Sequence, residues 1–438
     1  MDSFLSDPFR VEPADLPRLY RVAQRFEAPV VEDVPGAVRA ELERIGLGAK
    51  IRPGMRIAIT AGSRGVANIP AIIRAVASFV RDAGGEPVVL PTMGSHGGAT
   101  AEGQRQMLAS LGITEESVGC PILATMETVH IGTTTSGIPV FLDKYAAQAD
   151  GIVVVARVKQ HTEFDAPIES GLYKMMVIGL GKHRGAIEAH RRSIALGFPT
   201  VITEVGEVVL RNTITPILAG LGVVENAYDQ TAVVEAVRPE DFEEREKELL
   251  RIAKRLIGKL PFHQIDVLVV DEHGKNISGD GMDTNVTARV MFVNGNRPES
   301  PKITRIIVRD LTAATHGNAT GIGQADFVLK RAADKIDWHV TYTNTLTGMS
   351  PEYARLPVVC QHDHQALSWA IHSSGRFPPK ECRIVWIKNT LELASLCVSE
   401  ALLGEAREHP RLTVSPEPSS FAFDETGHLP ELAQVLSS

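Results

Sequence analysis

Four segments of the chain carry side chains able to move protons, bind anions or form covalent bonds near neutral pH. They are His96 in Met93-Gly-Ser-His-Gly-Gly98, His161 after Lys159-Gln160, Lys174 in Glu169-Ser-Gly-Leu-Tyr-Lys174, and His190 sixteen residues later. Histidine is the natural proton shuttle at this pH, so His96 and His161, on separate segments, can serve opposite faces of a planar site. Gly94, Gly97 and Gly98 permit the close backbone approach that larger side chains block, although a glycine-flanked histidine also suits a plain turn. Lys174 lies among Leu172, Met175 and Met176. An amine there is either partly desolvated, with a lowered pKa and a capacity for covalent attachment, or a lysine snorkelling to water. Arg64, next to Ser63, offers a planar fork for a carboxylate or an ordinary surface ion pair. His183 and His190 share a helical face, but Arg184 and Gly185 interrupt a simple metal pair.

These residues need elements that bring them together. Met55–Thr60 reads as a buried strand, Ala61–Gly65 as a turn and Ile69–Asp82 as an amphipathic helix ended by Gly84-Gly85. A second unit of the same kind follows: strand Pro87–Thr92, the His96 loop, and a helix from Ala101 to Leu111. Two such crossovers predict a parallel sheet. Gly151–Val158, β-branched and continuous, is the clearest strand and is expected to be buried on both faces; it delivers His161. Strand ends of a parallel sheet share one edge, where ligands bind, so the separate loops are expected to build one site. A helix is expected from Arg184 past Arg191-Arg192. A charged helix, Glu240–Ile257, ends the first domain near residue 262. Ile265–Val270, Lys302–Val308 and Cys382–Lys388 then read as strands of a second α/β domain. The assignment is 1–262 for the N-terminal domain and 263–411 for the second, with the tail from about 412 to 438 returning to the first.

Composition narrows the function classes. With 438 residues, 44% hydrophobic and 22% charged, the chain suits two or three folded domains. A formal net charge of -8 without a long basic run argues against a nucleic-acid partner. No apolar run reaches the ~18 residues of a membrane span. The start MDSFLSDPFRVEP lacks a signal-peptide pattern, and Cys120, Cys360, Cys382 and Cys397 form no CxxC pair. The reading is a cytoplasmic protein with core cysteines and a small-molecule substrate. Gly179-Leu-Gly-Lys182 superficially matches a phosphate loop, but Met176 and His183 stand where a Walker motif requires Gly and Ser or Thr. His362-Asp363-His364 precedes a helix, so Asp363 is read as a cap rather than a zinc ligand.

Taken together, GSRGV at 62–66, MGSHGGATAEGQ at 93–104, RVKQHTEF at 157–164, ESGLYKMMVIGLGKHRGA at 169–186 and His190 resemble the lactate racemase family of nickel-pincer-dependent isomerases. The resemblance spans most of residues 55–195 and continues more loosely beyond. It implies two α/β domains, mostly parallel, with the active site in the cleft between them. It further implies a nickel pincer nucleotide tethered to Lys174 near Gly97 and Gly98, with His190 as the nickel ligand. His96 and His161 would be the acid/base pair, and Arg64, with Ser63, would orient the substrate. The activity implied is racemisation or epimerisation of a 2-hydroxy acid, with cofactor-synthesis enzymes as transient partners.

The loop Gly274–Asn285 departs from the family pattern, lacking the glutamine and lysine that contact lactate there. Lys275, Asn276, Asp280, Asp283 and Asn285 are therefore expected to face a larger polyhydroxy acid. Two other classes stay open: a zinc hydrolase using His96, His161 and His190, and a non-catalytic binder of an anionic metabolite.

Overall fold

The computed structural model describes residues 6–63, 65–293, 295–296 and 298–437. They divide into two compact units, residues 27–257 and residues 1–26 with 258–438.

In the first of these, Gly151–Arg157 is buried along nearly its whole length, as a continuous β-branched run requires. It pairs in parallel with Arg56–Ala61 and with Ile217–Glu225. Glu86–Pro91 adds in parallel outside Arg56–Ala61, and Thr231–Val237 closes the other edge antiparallel to Ile217–Glu225. The helix Ile69–Asp82 forms where the apolar periodicity predicts it. Pro70 stands in its first turn, and Ile69, Ile72, Ile73, Val76, Ala77 and Val80 are buried. They pack with Val34, Val38 and Leu42 and with strand residues Ile57, Ile59, Val153 and Leu221 in one core cluster. The charged helix occupies Phe242–Leu256 and buries Phe242, Leu249, Leu250 and Ala253. A hairpin, Thr128–Thr133 with Pro139–Asp143, stands apart from the main sheet.

The other unit is an eight-stranded sheet. Its parallel part runs Val358–Cys360, Phe327–Leu329, Lys302–Leu311, Gln264–His273 and Ile384–Ile387. Three further strands, Ser395–Ser399, Leu19–Gln24 and Leu412–Val414, extend it in antiparallel order. Two hydrophobic clusters, one containing Leu268, Val308 and Val385 and the other Val267, Ile307 and Trp386, cover its two faces. The α/β class with mostly parallel sheets is therefore as expected.

Three assignments change. The N-terminal residues, assigned to the first domain, belong with the second unit, since Leu19–Gln24 is a strand between Ser395–Ser399 and Leu412–Val414. The tail does not return to the first unit. Leu412–Val414 pairs with Leu19–Gln24, and the Leu432 amide donates to Asp271 of strand Gln264–His273 at 2.7 Å. At the helix Asp363–Ser374 the cap is His362, whose ring accepts from the Gln365 amide, while Asp363 is the first helical residue and pairs with the buried Arg309. All four cysteines are buried and unpaired. Burial pushes the Cys120 thiol up to about 11 and the others to about 12, so they behave as core residues. Among the described residues, no helix is long and apolar enough to cross a membrane.

Candidate active site

Within residues 27–257 the loops after Arg56–Ala61, Glu86–Pro91 and Gly151–Arg157 leave the same edge of the parallel sheet, and all three meet one helical segment. That segment begins as Leu172–Lys174, continues as a π-helical turn over Met175–Gly179, and leads into the helix Lys182–Leu196. π-turns inside helices mark functional sites often enough to draw the eye. A Cβ on Gly62 would lie 3.1 Å from Met175, one on Gly94 would lie 3.0 Å from Ile178, and one on Gly179 would lie 3.0 Å from the Thr92 carbonyl. Glycine at these positions lets the loops sit directly on the segment that carries Lys174.

The His96 loop is held rigidly. Gly97 and Gly98 have positive φ angles, and a Cβ on Gly97 would strike the Gly103 backbone at 2.5 Å. Thr100 caps the helix Ala101–Ser110 by accepting from the Gly103 amide. The Gln104 side chain reaches back to donate to the carbonyls of Gly94 at 2.9 Å and His96 at 3.3 Å.

The His161 loop is shaped by Glu169, almost fully buried, which accepts from the backbone amides of His161 and Ala166 and pairs with Lys254 at 2.6 Å. The imidazole of His161 is itself buried. It stacks on Phe164 with centroids 4.3 Å apart, and its Nδ1 accepts from the Glu163 amide at 3.1 Å. A neutral ring so placed carries its proton on Nε2.

Phe198 joins His161 to His190. Its ring centroid lies 5.8 Å from that of His161 and 5.1 Å from that of His190, edge-on to the latter. His190 Nδ1 is buried and has no hydrogen-bond partner among the described residues. Burial, reinforced by the charge of Lys174, pushes its pKa down to about 4, so the ring is neutral with a nitrogen free to bind. Lys174 Nζ donates to Ser170 Oγ at 3.2 Å, and Ser170 bridges to Lys159 beside the His161 loop. His161, Lys174 and His190 are thus gathered by contacts, and the His96 loop reaches the same helical segment through its backbone.

Ser63 ends the described part of its loop, and Arg64 lies outside the described residues. The chain just beyond is anchored where Glu225 accepts from the Ala67 amide at 2.5 Å and pairs with Arg157 at 2.6 Å. Among the described residues no three His, Cys, Asp or Glu side chains gather as metal ligands.

Sequence reasoning passed over several residues at this site. Thr92 Oγ1 and Gln160 Oε1 are, like His190 Nδ1, buried without a partner among the described residues. Buried polar atoms are normally satisfied, so each of these three has hydrogen-bonding capacity to spare. A glutamine directly before a candidate histidine was the available signal. Glu246, fully buried, was read only as part of a charged helix. Its carboxylate accepts from the Tyr173 amide at 2.9 Å, at the start of the Lys174 segment. Burial raises its pKa from 4.5 to about 8 against the pull of backbone donors. A carboxyl whose folded pKa is raised contributes stability that is lost as pH climbs from its unfolded value through its folded one. The midpoint of thermal unfolding is expected to fall between about pH 5 and pH 8.5, by an amount worth on the order of 3–5 kcal/mol. Glu246→Gln should flatten that decline in a pH series of unfolding curves, and an unchanged slope would refute it.

In the other unit, the loop after Gln264–His273 uses much of its polarity on itself. Lys275 donates to the Gly279 carbonyl, Asn276 accepts from Thr312 at 2.6 Å, and Asp283 accepts from both nitrogens of Asn285 while capping Thr284–Thr287. Asp280 Oδ2, Ser278 Oγ and His273 Nδ1 are buried there without partners among the described residues.

The fold is shared with a solved structure, the lactate racemase apoprotein from Thermoanaerobacterium thermosaccharolyticum. The two superpose with a TM-score of 0.51 over 85% of this chain and 94% of that one, at 13% sequence identity. No curated protein matches the chain by sequence. The family profile described as Domain of unknown function (DUF362) matches residues 55–290, more than half of the chain, and the chain belongs to that family.

Proposed function

We propose that the protein is a racemase or epimerase of a 2-hydroxy acid that works with a lysine-tethered nickel pincer nucleotide. The observation that carries the reading is His190. A neutral imidazole with a buried, unpartnered Nδ1, within electrostatic reach of the Lys174 amine, is a metal ligand in waiting. Lys174, on a helical segment met by all three loops, would hold the nucleotide, and His190 would hold its nickel. When bound, that group supplies a reversible acceptor for the C2 hydride of the substrate.

The chain's own residues handle the protons. His161, whose Nδ1 already accepts from Glu163, is set to donate from Nε2, and His96 takes the hydroxyl proton from the opposite side. Exchange of these roles returns the opposite configuration. Thr92 and Gln160 supply polar contacts to the bound molecules. Arg64, with Ser63, orients the carboxylate. The loop Gly274–Asn285, through Lys275, Asn276, Asp280, Asp283 and Asn285, selects a polyhydroxy acid, and double substitution of Asp283 and Asn285 should change the substrate range.

The test is mass spectrometry with nickel analysis on protein co-produced with the pincer-synthesis enzymes. A peptide adduct at Lys174 with near-stoichiometric nickel, and loss of optical purity in a 2-hydroxy acid, are expected. An unmodified Lys174 under conditions that load a lactate racemase would overturn the reading and favour an anion-binding protein.

A further inference from the structure

Lys182 was set aside with the failed phosphate-loop motif, and its surroundings give it a different role. It is fully buried and sits at φ +54°, a left-handed conformation unusual for a residue with a side chain, at the first position of the helix that carries His190. Its Nζ donates to the Pro91 carbonyl at 2.6 Å and to Gln104 Oε1 at 2.5 Å, and lies 3.6 Å from Asp143 Oδ2. Pro91 is the last residue of the strand that delivers the His96 loop. Gln104, also fully buried, turns its amide the other way, onto the carbonyls of Gly94 and His96. Asp143 is fixed in turn: its Oδ1 accepts from the amides of Tyr145 and Ala146, and its own amide donates to the Leu180 carbonyl at the end of the π-turn.

We propose that Lys182 is the positioning residue of this site, clamping the root of the His190 helix to the His96 loop through Gln104, with Asp143 as its buried counter-ion. An ammonium has three donors and a glutamine amide has both donor and acceptor. The chain from Asp143 through Lys182 and Gln104 to the His96 carbonyl is therefore polar at every link, and hydrogen-bonded from Lys182 onward. A buried hydrogen-bonded network such as that from Lys182 to the His96 carbonyl fixes one geometry where an apolar core would tolerate several. Backbone strain at Lys182 is held by the same network, as strained residues near functional sites commonly are. For the proposed reaction this places His96 relative to His190, and only that clause rests on the racemase reading.

Gln104→Glu is the discriminating variant. It keeps an acceptor for Lys182 but loses the amide that donates to Gly94 and His96. In cofactor-free protein the unfolding midpoint should fall, because a carboxylate then faces two carbonyls in a fully buried place, and the readout that decides is where the loosening is confined. Amide hydrogen exchange over Gly94–Gly98 should rise about tenfold, and the His96 ring resonance should broaden or shift. The double variant Lys182→Met with Asp143→Asn, which removes both charges but keeps the cap on Tyr145, should loosen the same amides. Unchanged exchange at Gly94–Gly98 in Gln104→Glu would overturn the proposal, as would loosening spread evenly over residues 27–257. In loaded protein the same variant should lower kcat about tenfold at unchanged KM. Selective loosening in a protein that inverts no hydroxy acid would support the positioning role and overturn the racemase reading instead.

Discussion

His190→Leu is expected to unfold at a higher temperature than the parent when both are prepared without cofactor and, if the proposed function holds, to bind no nickel when both are co-produced with the pincer-synthesis enzymes. In the cofactor-free protein the buried Nδ1 has lost water and gained no partner among the described residues, and an unsatisfied buried polar atom costs ~1–3 kcal/mol. Leucine removes that cost and gives up the edge-on contact with Phe198, worth about 0.5–1.5 kcal/mol. The net gain is on the order of 1 kcal/mol at neutral pH. It should widen in acid. His190 titrates near 4 when folded against 6.5 in the open chain, so the unfolded state takes up the proton first. The parent therefore loses stability as pH falls through that window, up to about 3 kcal/mol, and the variant does not. With cofactor present, loss of the imidazole should lower bound nickel and turnover at least about a hundredfold. Urea unfolding at two pH values and metal analysis read both halves. A variant that is markedly less stable yet keeps its nickel would make His190 a structural residue.

The largest loss of stability is expected from Arg309→Met. This guanidinium is fully buried, donates to Asp271 at 2.7 Å, to Asp363 at 2.5 Å and to the Leu429 carbonyl at 2.7 Å, and lies over the Trp386 ring. Trp386 and the Leu432 amide also donate to Asp271, and His428 and the Leu429 amide to Asp363. Removing the cation strands two buried carboxylates, and breaking such a pair costs about 3–5 kcal/mol. Because the carboxylates hold residues 428–432, the tail should also become open to protease before the rest of the unit. Denaturant unfolding, with a digestion time course probing the tail, tests this. A variant as stable and as resistant as the parent would show that the carboxylates find other partners.

What could be read from sequence follows from how local each signal is. Ile69–Asp82 was legible to the residue because Pro70, the apolar periodicity and Gly84 all act within one helix. Gly151–Arg157 was legible because burial on both faces leaves an unbroken β-branched run. The candidate histidines stood out by their place in two loops and a helix, and the candidate lysine by its apolar neighbours. Leu19–Gln24 and the tail were misread because their partners lie hundreds of residues away, and pairing at that range leaves no local mark. Asp363 was misread as a cap because the charge it serves, Arg309, stands far away in sequence on the strand Lys302–Leu311. Lys182 was set aside because its left-handed φ and its contacts with Pro91, Gln104 and Asp143 exist only once four segments have assembled.

The placing of Leu19–Gln24 between Ser395–Ser399 and Leu412–Val414 sets an order of events on the ribosome. Residues 27–257 are one continuous stretch and can collapse as soon as they have emerged. The strand made before them must wait, its edges unpaired, until Ser395–Ser399 and Leu412–Val414 have been made. Non-local pairing of this kind is slow, and a waiting strand is a template for wrong partners. Arg21, half-way along it, puts a charge on that strand during the wait. A chain rearranged to begin at residue 27, with Leu19–Gln24 joined after the tail, would shorten the interval to a few dozen residues and should refold faster with less aggregation.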